Sequence, residues 1–219
     1  MKIKNVLFDL DGTLTDPKIG ITKSIQHVFK SFSLPVPKTE DLLWCIGPSI
    51  MESMNQLMPP DIDITMAVEI YRQRYKNIGL LENNIYSGIP EVLHCLQQEG
   101  FNLYVATAKP TVFAIPILKH FSLCHYFQRI YGSNLDGTMS DKTELLTSII
   151  DNECLDPQET IMVGDRKFDI IAAKENKIIS AAVTWGYGSA LEIEEHSPDV
   201  TFQSVMDMKK RLFSGLISR

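Results

Sequence analysis

The hydrophobic positions of the chain form short continuous runs separated by longer stretches with helical spacing. The strand-like runs cover residues 3–8, 101–107, 160–164 and 178–183. Continuous apolar runs are typical of parallel strands that are covered by helices on both faces. Between them, apolar side chains fall on one helical face in residues 88–99, 141–150 and 168–176. This alternation predicts a doubly wound, Rossmann-like α/β fold with a parallel sheet.

Two local signals refine the helices. Asp141, followed three residues later by Glu144, predicts a capped N-terminus for the helix that covers residues 141–150. Residues 111–120 also have a helical pattern, but Pro116 lies inside it. Because proline has no amide hydrogen and clashes with the preceding turn, we expect this helix to kink or to start later.

The stretch from about residue 17 to residue 85 interrupts the alternation. It contains no convincing apolar strand, and its helical segments cover residues 19–32, 42–46, 49–58 and 64–78. We therefore expect an all-helical cap domain, residues 16–85, inserted into an α/β core domain of residues 1–15 and 86–219. Ligands of open α/β sheets bind at the carboxyl ends of the strands. The insertion follows the first strand at that end, so we expect the cap to cover the binding site.

Composition narrows the class of protein. Of 219 residues, 44% are hydrophobic and 22% charged, which is typical of a globular chain and excludes a disordered, collagen-like or coiled-coil protein. With 21 basic and 27 acidic residues the net charge is −6, and we expect no nucleic-acid polymer as partner. No apolar run reaches the roughly 18 residues of a membrane span. Asp9 and Asp11 interrupt the only signal-like segment. We therefore expect a cytoplasmic protein with free cysteines and no membrane partner.

Carboxylates follow two of the strand-like runs. Asp9 and Asp11 come directly after the first run, and Gly12 allows the backbone to turn sharply beneath them. Asp165 and Asp169 follow the third run, where an early helical turn can direct both to one place. A calcium-binding EF-hand loop is disfavoured, because it requires its glycine at the sixth position of the loop and a preceding helix. A helix cap plus a surface aspartate remains open for the second pair.

A hydroxyl and a lysine complete the candidate chemistry. Thr107 ends the second run, and the N–H groups of Ala108 and Lys109 after it are suited to an anionic oxygen at a helix start. Thr107 acting only as a helix cap remains open. Lys142 lies in the first turn of its helix, where the helix dipole disfavours a cation, so we expect it to have a function.

Taken in order, these pieces resemble the four motifs of the haloacid dehalogenase-like (HAD) hydrolase superfamily. The motifs are D-x-D-G-T at residues 9–13, the threonine Thr107, the lysine Lys142 and G-D-x-x-x-D at residues 164–169. The chain is similar to phosphatases of this superfamily with a helical C1-type cap, in particular to phosphoglycolate phosphatase-like and 5′-nucleotidase-like proteins. Segments similar to that branch are residues 46–49, 107–110, 131–137 and 185–189.

The resemblance implies Mg²⁺-dependent hydrolysis of a phosphomonoester through an aspartyl-phosphate. It assigns catalysis to Asp9 as nucleophile, Asp11 as acid and base, Thr107 and Lys142. It assigns Mg²⁺ to Asp9, the backbone carbonyl of Asp11, Asp165 and, directly or through water, Asp169. The expected substrate-binding residues are Gly12, Thr13, Ala108 and Lys109 in the core and Gly47, Pro48 and Ser49 in the cap.

The resemblance leaves the leaving-group contacts and the reaction partly open. Further candidate contacts are Trp44, Tyr71, Arg72, Arg74, Lys109 and Arg166, with packing or solvent exposure as the alternative for each. Asp11 argues against dehalogenation, since dehalogenases lack the second aspartate. A phosphomutase acting on a sugar phosphate and a phosphorylation-switched or regulatory binding protein remain alternatives. We expect the partner to be a small phosphorylated metabolite, such as phosphoglycolate, a nucleoside monophosphate or a sugar phosphate, and the protein to be a monomer or homodimer.

Overall fold

The computed structural model describes residues 3–215. The strands are β1 Asn5–Phe8, β2 Thr15–Asp16, β3 Asn84–Ile85, β4 Asn102–Pro110, β5 Arg129–Ser133, β6 Thr160–Gly164, β7 Ile179–Val183 and β8 Val200–Phe202. The α-helices are α1 Lys18–Ser31, α2 Ile50–Leu57, α3 Ile64–Arg74, α4 Ile89–Gln98, α5 Thr111–His120, α6 Lys142–Asn152, α7 Lys167–Glu175, α8 Ala190–His196 and α9 Val205–Ser214. No helix within residues 3–215 is both long and apolar enough to cross a membrane.

Six parallel strands form the main sheet, in the order β5-β4-β1-β6-β7-β8. Side chains of β1 alternate between two apolar layers, as the pleat of a strand requires. Val6 and Phe8 share one layer with α4, α5 and α9, and Leu7 shares the other with α6 and α7. The predicted doubly wound α/β fold is thus confirmed. The strand order reverses beside β1, where such folds place their ligands.

In the segment between β2 and β3, the regular secondary structure is helical. It contains α1, α2 and α3, the 3₁₀ helix Glu40–Cys45 and the π-helical turn Tyr75–Gly79. Its two ends pair as a short antiparallel ribbon, with Thr15 opposite Ile85. The two-residue strand Asn84–Ile85 is not an apolar run, so the hydrophobic pattern gives no sign of it. The ribbon lies at the predicted domain boundaries, residues 15–16 and 85–86. The division of the chain into core and cap domains stays a prediction.

Several core elements differ from the sequence-based expectation. The helix α5 begins at Thr111 and includes Pro116, so the later start that proline predicts does not occur. The hydrophobic pattern does not indicate β5, β8, α8 and α9. The two strands lie at the edges of the sheet, and β5 has only one buried residue, so neither shows a continuous apolar run. The prediction of free cysteines is confirmed for all four.

The central strand tests how far the two-layer packing stabilises the fold. Leu7 of β1 is fully buried, whereas Leu191 of α8 is 70% exposed. We expect Leu7→Ala to lower the free energy of unfolding by about 2–5 kcal/mol, because it leaves a cavity beneath α6 and α7. The same change at Leu191 should cost less than about 0.5 kcal/mol. Urea denaturation measures both, and equal losses would contradict this packing.

Candidate active site

Asp9 and Lys142 form a buried ion pair at the carboxyl end of β1. The N–H of Asp9 continues the sheet by donating to the Val163 carbonyl at 2.9 Å. Its Oδ1 accepts the Leu10 N–H at 2.8 Å and lies 3.0 Å from the Nζ of Lys142. The lysine is the first residue of α6, and its Nζ also donates to the carbonyl of Ala106 at 2.8 Å. As predicted, Lys142 lies in the first helical turn, and its amine points at a carboxylate.

Three buried carboxylates meet next to this lysine. Asp9, Asp165 and Asp169 each place an oxygen within 4.8 Å of the others. Lys142 Nζ also lies 2.9 Å from the Oδ1 of Asp169. Burial alone would lower the pKa of Lys142, but Asp169 and Asp9 outweigh this effect and the pKa is raised. The amine therefore stays protonated across the physiological range.

The cluster fits a hard divalent cation. Burial, followed by the charges of Asp9 and Asp169, raises the pKa of Asp165 well above its usual range. Burial also raises the pKa of Asp169, against the opposing charge of Lys142. Three buried carboxylates share a single lysine, so protein groups do not balance all of their charge. Carboxylate oxygens are the ligands that Mg²⁺ prefers. The side chain of Asp11 is not part of the cluster, and its metal contact through the backbone carbonyl stays a prediction.

Asp11 lies beside the cluster with a different partner. Its Oδ2 is 2.5 Å from the Nζ of Lys109, and its Oδ1 is buried without a hydrogen-bond partner in residues 3–215. Burial raises the pKa of the Asp11 carboxyl, although Lys109 opposes this shift. A raised pKa favours the proton-carrying form that an acid catalyst requires. Lys109 is itself buried, so the surface alternative for this residue is wrong.

Asp165 is fixed by contacts from two loops. Its Oδ1 accepts the Thr13 hydroxyl at 3.3 Å, and its Oδ2 accepts the N–H of Tyr187 at 2.7 Å. Gly12 has φ +85°, and a Cβ there would lie 2.2 Å from the Asp165 carboxylate. A Cβ at Gly186 would lie 2.3 Å from the Asp165 Cβ. The similarity of residues 185–189 to a branch of the superfamily gives no sign that this segment contacts the Asp165 carboxylate.

Thr107 is buried and lies within β4. The strand continues to Pro110, with a shift of register after Thr107, and α5 begins only at Thr111. Thr107 Oγ1 accepts the Lys109 N–H at 3.3 Å. The alternative in which Thr107 caps a helix is therefore wrong. The N–H groups of Ala108 and Lys109 do not lie at a helix start, and that of Lys109 is directed to Thr107.

Two cavities lie between the helical segment and the sheet. The smaller, about 50 Å³, is lined by Asp9, Asp11, Ile21, Cys45, Gly47, Pro48, Ser49, Ile50, Tyr71, Tyr75, Thr107, Ala108, Lys109, Pro110 and Phe113. It has room for a few water molecules or one small tetrahedral group. A wider cleft of about 570 Å³ shares residues 47–50 with it and extends to Lys142 and Phe168. Gly47, Pro48 and Ser49 thus line both spaces.

Arg166 joins the loop after β6 to the helical segment. Its Nη1 donates to the carbonyl oxygens of Ile46 and, at 3.4 Å, Trp44, and its Nε lies 3.0 Å from Glu192. A Cβ at Gly47, where φ is +117°, would lie 2.9 Å from the Arg166 side chain. Arg166 is buried, so the surface alternative is wrong. Its contacts hold the loop that carries Gly47 against the core.

The remaining candidate leaving-group residues of the helical segment differ in whether they line a cavity. Tyr71 lines the smaller cavity, and Arg72 lines the cleft while donating to the Leu135 carbonyl at 2.7 Å. Arg74 instead donates to Glu82 at 2.9 Å and to a serine of α1, both in the helical segment. The packing alternative therefore describes Arg74. Trp44 contributes a backbone carbonyl to Arg166, and its ring packs against the apolar core.

The sequence of this site matches a known family. The family model described as haloacid dehalogenase-like hydrolase matches residues 6–183. The chain belongs to the haloacid dehalogenase-like hydrolases. It is thus a hydrolase that acts on phosphoric monoesters, and the resemblance seen in the sequence is confirmed.

Relatives carry several names. The chain is 41% identical over 199 residues to a 5′-nucleotidase of Pseudomonas aeruginosa, covering 90% of each protein. It is 34% identical over 195 residues to the tyrosine-protein kinase PtkA of Mycobacterium tuberculosis, covering 89% of this chain and 67% of the relative. It is 29% identical over 219 residues to a phosphoglycolate phosphatase of Agrobacterium fabrum, covering 97% of this chain and 94% of the relative. A crystal structure described as a predicted phosphatase from Clostridium acetobutylicum superposes with a TM-score of 0.92, at 37% identity and 98% and 100% coverage.

Alanine substitutions at two glycines with similar backbone conformation distinguish the effect of backbone strain from the effect of displacing Asp165. Gly12 has φ +85° and touches Asp165, whereas Gly100 has φ +82° and nothing within 4 Å of an added Cβ. We expect Gly12→Ala to lower kcat/KM for an aryl phosphate on the order of a hundredfold, because the displaced carboxylate misplaces the reacting groups. Gly100→Ala introduces similar backbone strain and should keep the activity. Equal activities in the two folded variants would contradict this role of Gly12.

Proposed function

We propose that the protein is a Mg²⁺-dependent phosphatase that hydrolyses a small-molecule phosphomonoester through an aspartyl-phosphate on Asp9. The observation that carries the proposal is the meeting of Asp9 and Asp11 on the wall of one small cavity. Lys142 and the carboxylates of Asp165 and Asp169 lie close to the Asp9 carboxylate. Each of these groups supplies a distinct part of the chemistry.

Asp9 is the proposed nucleophile. One of its carboxylate oxygens forms a bond to phosphorus while the bond from phosphorus to the leaving oxygen breaks. The Leu10 N–H and Lys142 hold Oδ1, which fixes the orientation of the carboxylate during the attack. The covalent intermediate divides the hydrolysis into two easier displacements.

Asp11 is the proposed acid and base. In the first step its proton passes to the leaving oxygen, and in the second the resulting carboxylate removes a proton from the water that attacks the aspartyl-phosphate. The burial that raises its pKa favours the protonated starting form. Inorganic phosphate then leaves, and the protonated Asp11 and free Asp9 are restored.

Positive charge is required because a carboxylate attacks an anionic phosphoryl group. Asp9, Asp165 and Asp169 would hold Mg²⁺, which when bound neutralises charge on the phosphoryl oxygens and orients them. Lys142 adds its own charge from the side of α6. Thr107 and the backbone at Ala108, both on the cavity wall, are the proposed binders of the remaining phosphoryl oxygens.

The two cavities favour a bulky leaving group. The small one accommodates a phosphoryl group, and the cleft of about 570 Å³ behind residues 47–50 is far larger than a two-carbon acid requires. Together with the name of the Pseudomonas aeruginosa relative, this supports a nucleoside 5′-monophosphate as substrate class over phosphoglycolate. The helical segment, as a cap, would select the leaving group and exclude bulk water.

The alternatives differ in the acceptor of the phosphoryl group. A phosphomutase would return it to a sugar phosphate, and the relative named a tyrosine-protein kinase suggests a protein side chain as another acceptor. Release of inorganic phosphate separates hydrolysis from both transfers. The cytoplasmic location and the monomeric or homodimeric state stay predictions.

Removal of the nucleophile tests the proposal. We expect Asp9→Asn to reduce Mg²⁺-dependent phosphate release from 4-nitrophenyl phosphate at least about a thousandfold, because no oxyanion is left to attack phosphorus. Asp61→Asn removes an exposed cap carboxylate that lines neither cavity and should keep the wild-type rate. Phosphate release by Asp9→Asn in EDTA at the wild-type rate would refute the mechanism.

Removal of the acid–base group should trap the intermediate. A nitrophenolate leaves without a proton, so Asp11→Asn should still form the aspartyl-phosphate from 4-nitrophenyl phosphate. Its hydrolysis should slow by about 10²–10⁴-fold without the base. Acid quenching and intact-protein mass spectrometry should therefore find one phosphoryl group on Asp11→Asn and none on Asp9→Asn. Absence of the adduct from a slow but active Asp11→Asn variant would argue against the second role of Asp11.

A further inference from the structure

Lys109 connects the acid–base carboxylate of the core to the cap. Its side chain is only 6% exposed, and its Nζ lies 2.5 Å from Asp11 Oδ2. The same nitrogen donates to the hydroxyl of Tyr75 at 2.6 Å and lies 4.6 Å from the centre of that ring. One buried amine therefore contacts the proposed acid and a residue of the inserted helical segment.

The cap holds the Tyr75 ring in a defined position. Tyr75 opens the π-helical turn that follows α3, an irregularity that often marks functional sites. Its ring stacks on Tyr71 at 5.4 Å and meets Phe113 of α5 edge-on at 5.7 Å. A Cβ at Gly79 would lie 2.7 Å from the Tyr75 ring, so glycine at this position leaves room for it.

The two oxygens of Asp11 have different surroundings. Lys109 holds Oδ2, whereas Oδ1 is buried and without a hydrogen-bond partner in the described part of the chain. A buried polar atom without a protein partner usually bonds to a water, an ion or a reacting group. A leaving oxygen or an attacking water is such a group.

We propose that Lys109 and Tyr75 are positioning residues that orient Asp11 for proton transfer when the cap lies over the core. Lys109 holds Oδ2, so that Oδ1 exchanges the proton with the leaving group. Tyr75 fixes the amine, so displacement of the cap loosens the acid. This inference rests on the acid–base role proposed for Asp11 above, and it links leaving-group protonation to closure of the cap.

The activities of Lys109 and Tyr75 variants on two substrates with different leaving groups distinguish a positioning role from a merely structural one. Benzyl phosphate releases an alkoxide that requires a proton, whereas 4-nitrophenyl phosphate releases a stable anion, and each carries one aromatic ring. The value of kcat/KM reports phosphoryl transfer to Asp9 for both substrates. We expect Lys109→Met and Tyr75→Phe to lower kcat/KM for benzyl phosphate at least about tenfold more than for 4-nitrophenyl phosphate, since general acids contribute about 10²–10⁴-fold.

Two control variants show whether a selective loss on benzyl phosphate comes from Asp11. Asp11→Asn should show the same selective loss, and Tyr126→Phe, which removes a phenol hydroxyl outside both cavities, should show none. Equal losses on the two substrates would overturn the inference while Mg²⁺-dependent, Asp9-dependent turnover keeps the proposed function. An increased KM at unchanged kcat for both substrates would also overturn it, because it would make Lys109 a phosphate-binding residue. Failure of the wild-type protein to release phosphate would instead reject the proposed function.

Discussion

The burial of four carboxylates at one edge of the sheet is the constraint on which the rest of the structure depends. Moving charged groups out of water is costly unless they are paired, and removing one partner of a buried pair costs about 3–5 kcal/mol. Two buried lysines supply the pairing here: Lys142 contacts Asp9 and Asp169, and Lys109 contacts Asp11. The pairing is incomplete, since two lysines face four buried carboxylates and, among residues 3–215, neither lysine forms an ion pair with Asp165. That imbalance is the physical reason to expect a cation there.

The four central strands of the sheet and the order of the motifs could be predicted from the sequence because their signals are local. A continuous apolar run such as Thr160–Gly164 reports burial on both faces, and Lys142 was recognised because a cation is out of place at the start of a helix. The segments of residues 19–32, 42–46, 49–58 and 64–78 correspond to α1, a 3₁₀ helix, α2 and α3 with its π-helical turn. The edge strand β5 was missed because it buries almost nothing.

The contacts that complete the site could not be predicted, because they join residues far apart in the chain. Nothing near Lys109 in the sequence indicates that its amine meets Tyr75, 34 residues earlier. The Tyr187 N–H that holds Asp165 is likewise a backbone group, for which residue identity gives no signal. Gly186 provides a partial clue, since glycine allows another group to approach the backbone closely, but the group that does so, the Asp165 side chain, follows another strand.

The position of the inserted segment gives it three kinds of contact with the chemistry. The ribbon of β2 and β3 joins it to the chain only a few residues after Asp11. Arg166, next to Asp165, holds the carbonyl of Ile46, and the following residue, Gly47, lines both cavities. Tyr75 reaches the amine that holds Asp11. These contacts end on residues adjacent to the carboxylates. Displacement of the helical segment would therefore alter the positions of the reacting groups as well as their access to solvent. A cap in this family thus has a direct route to control the reaction.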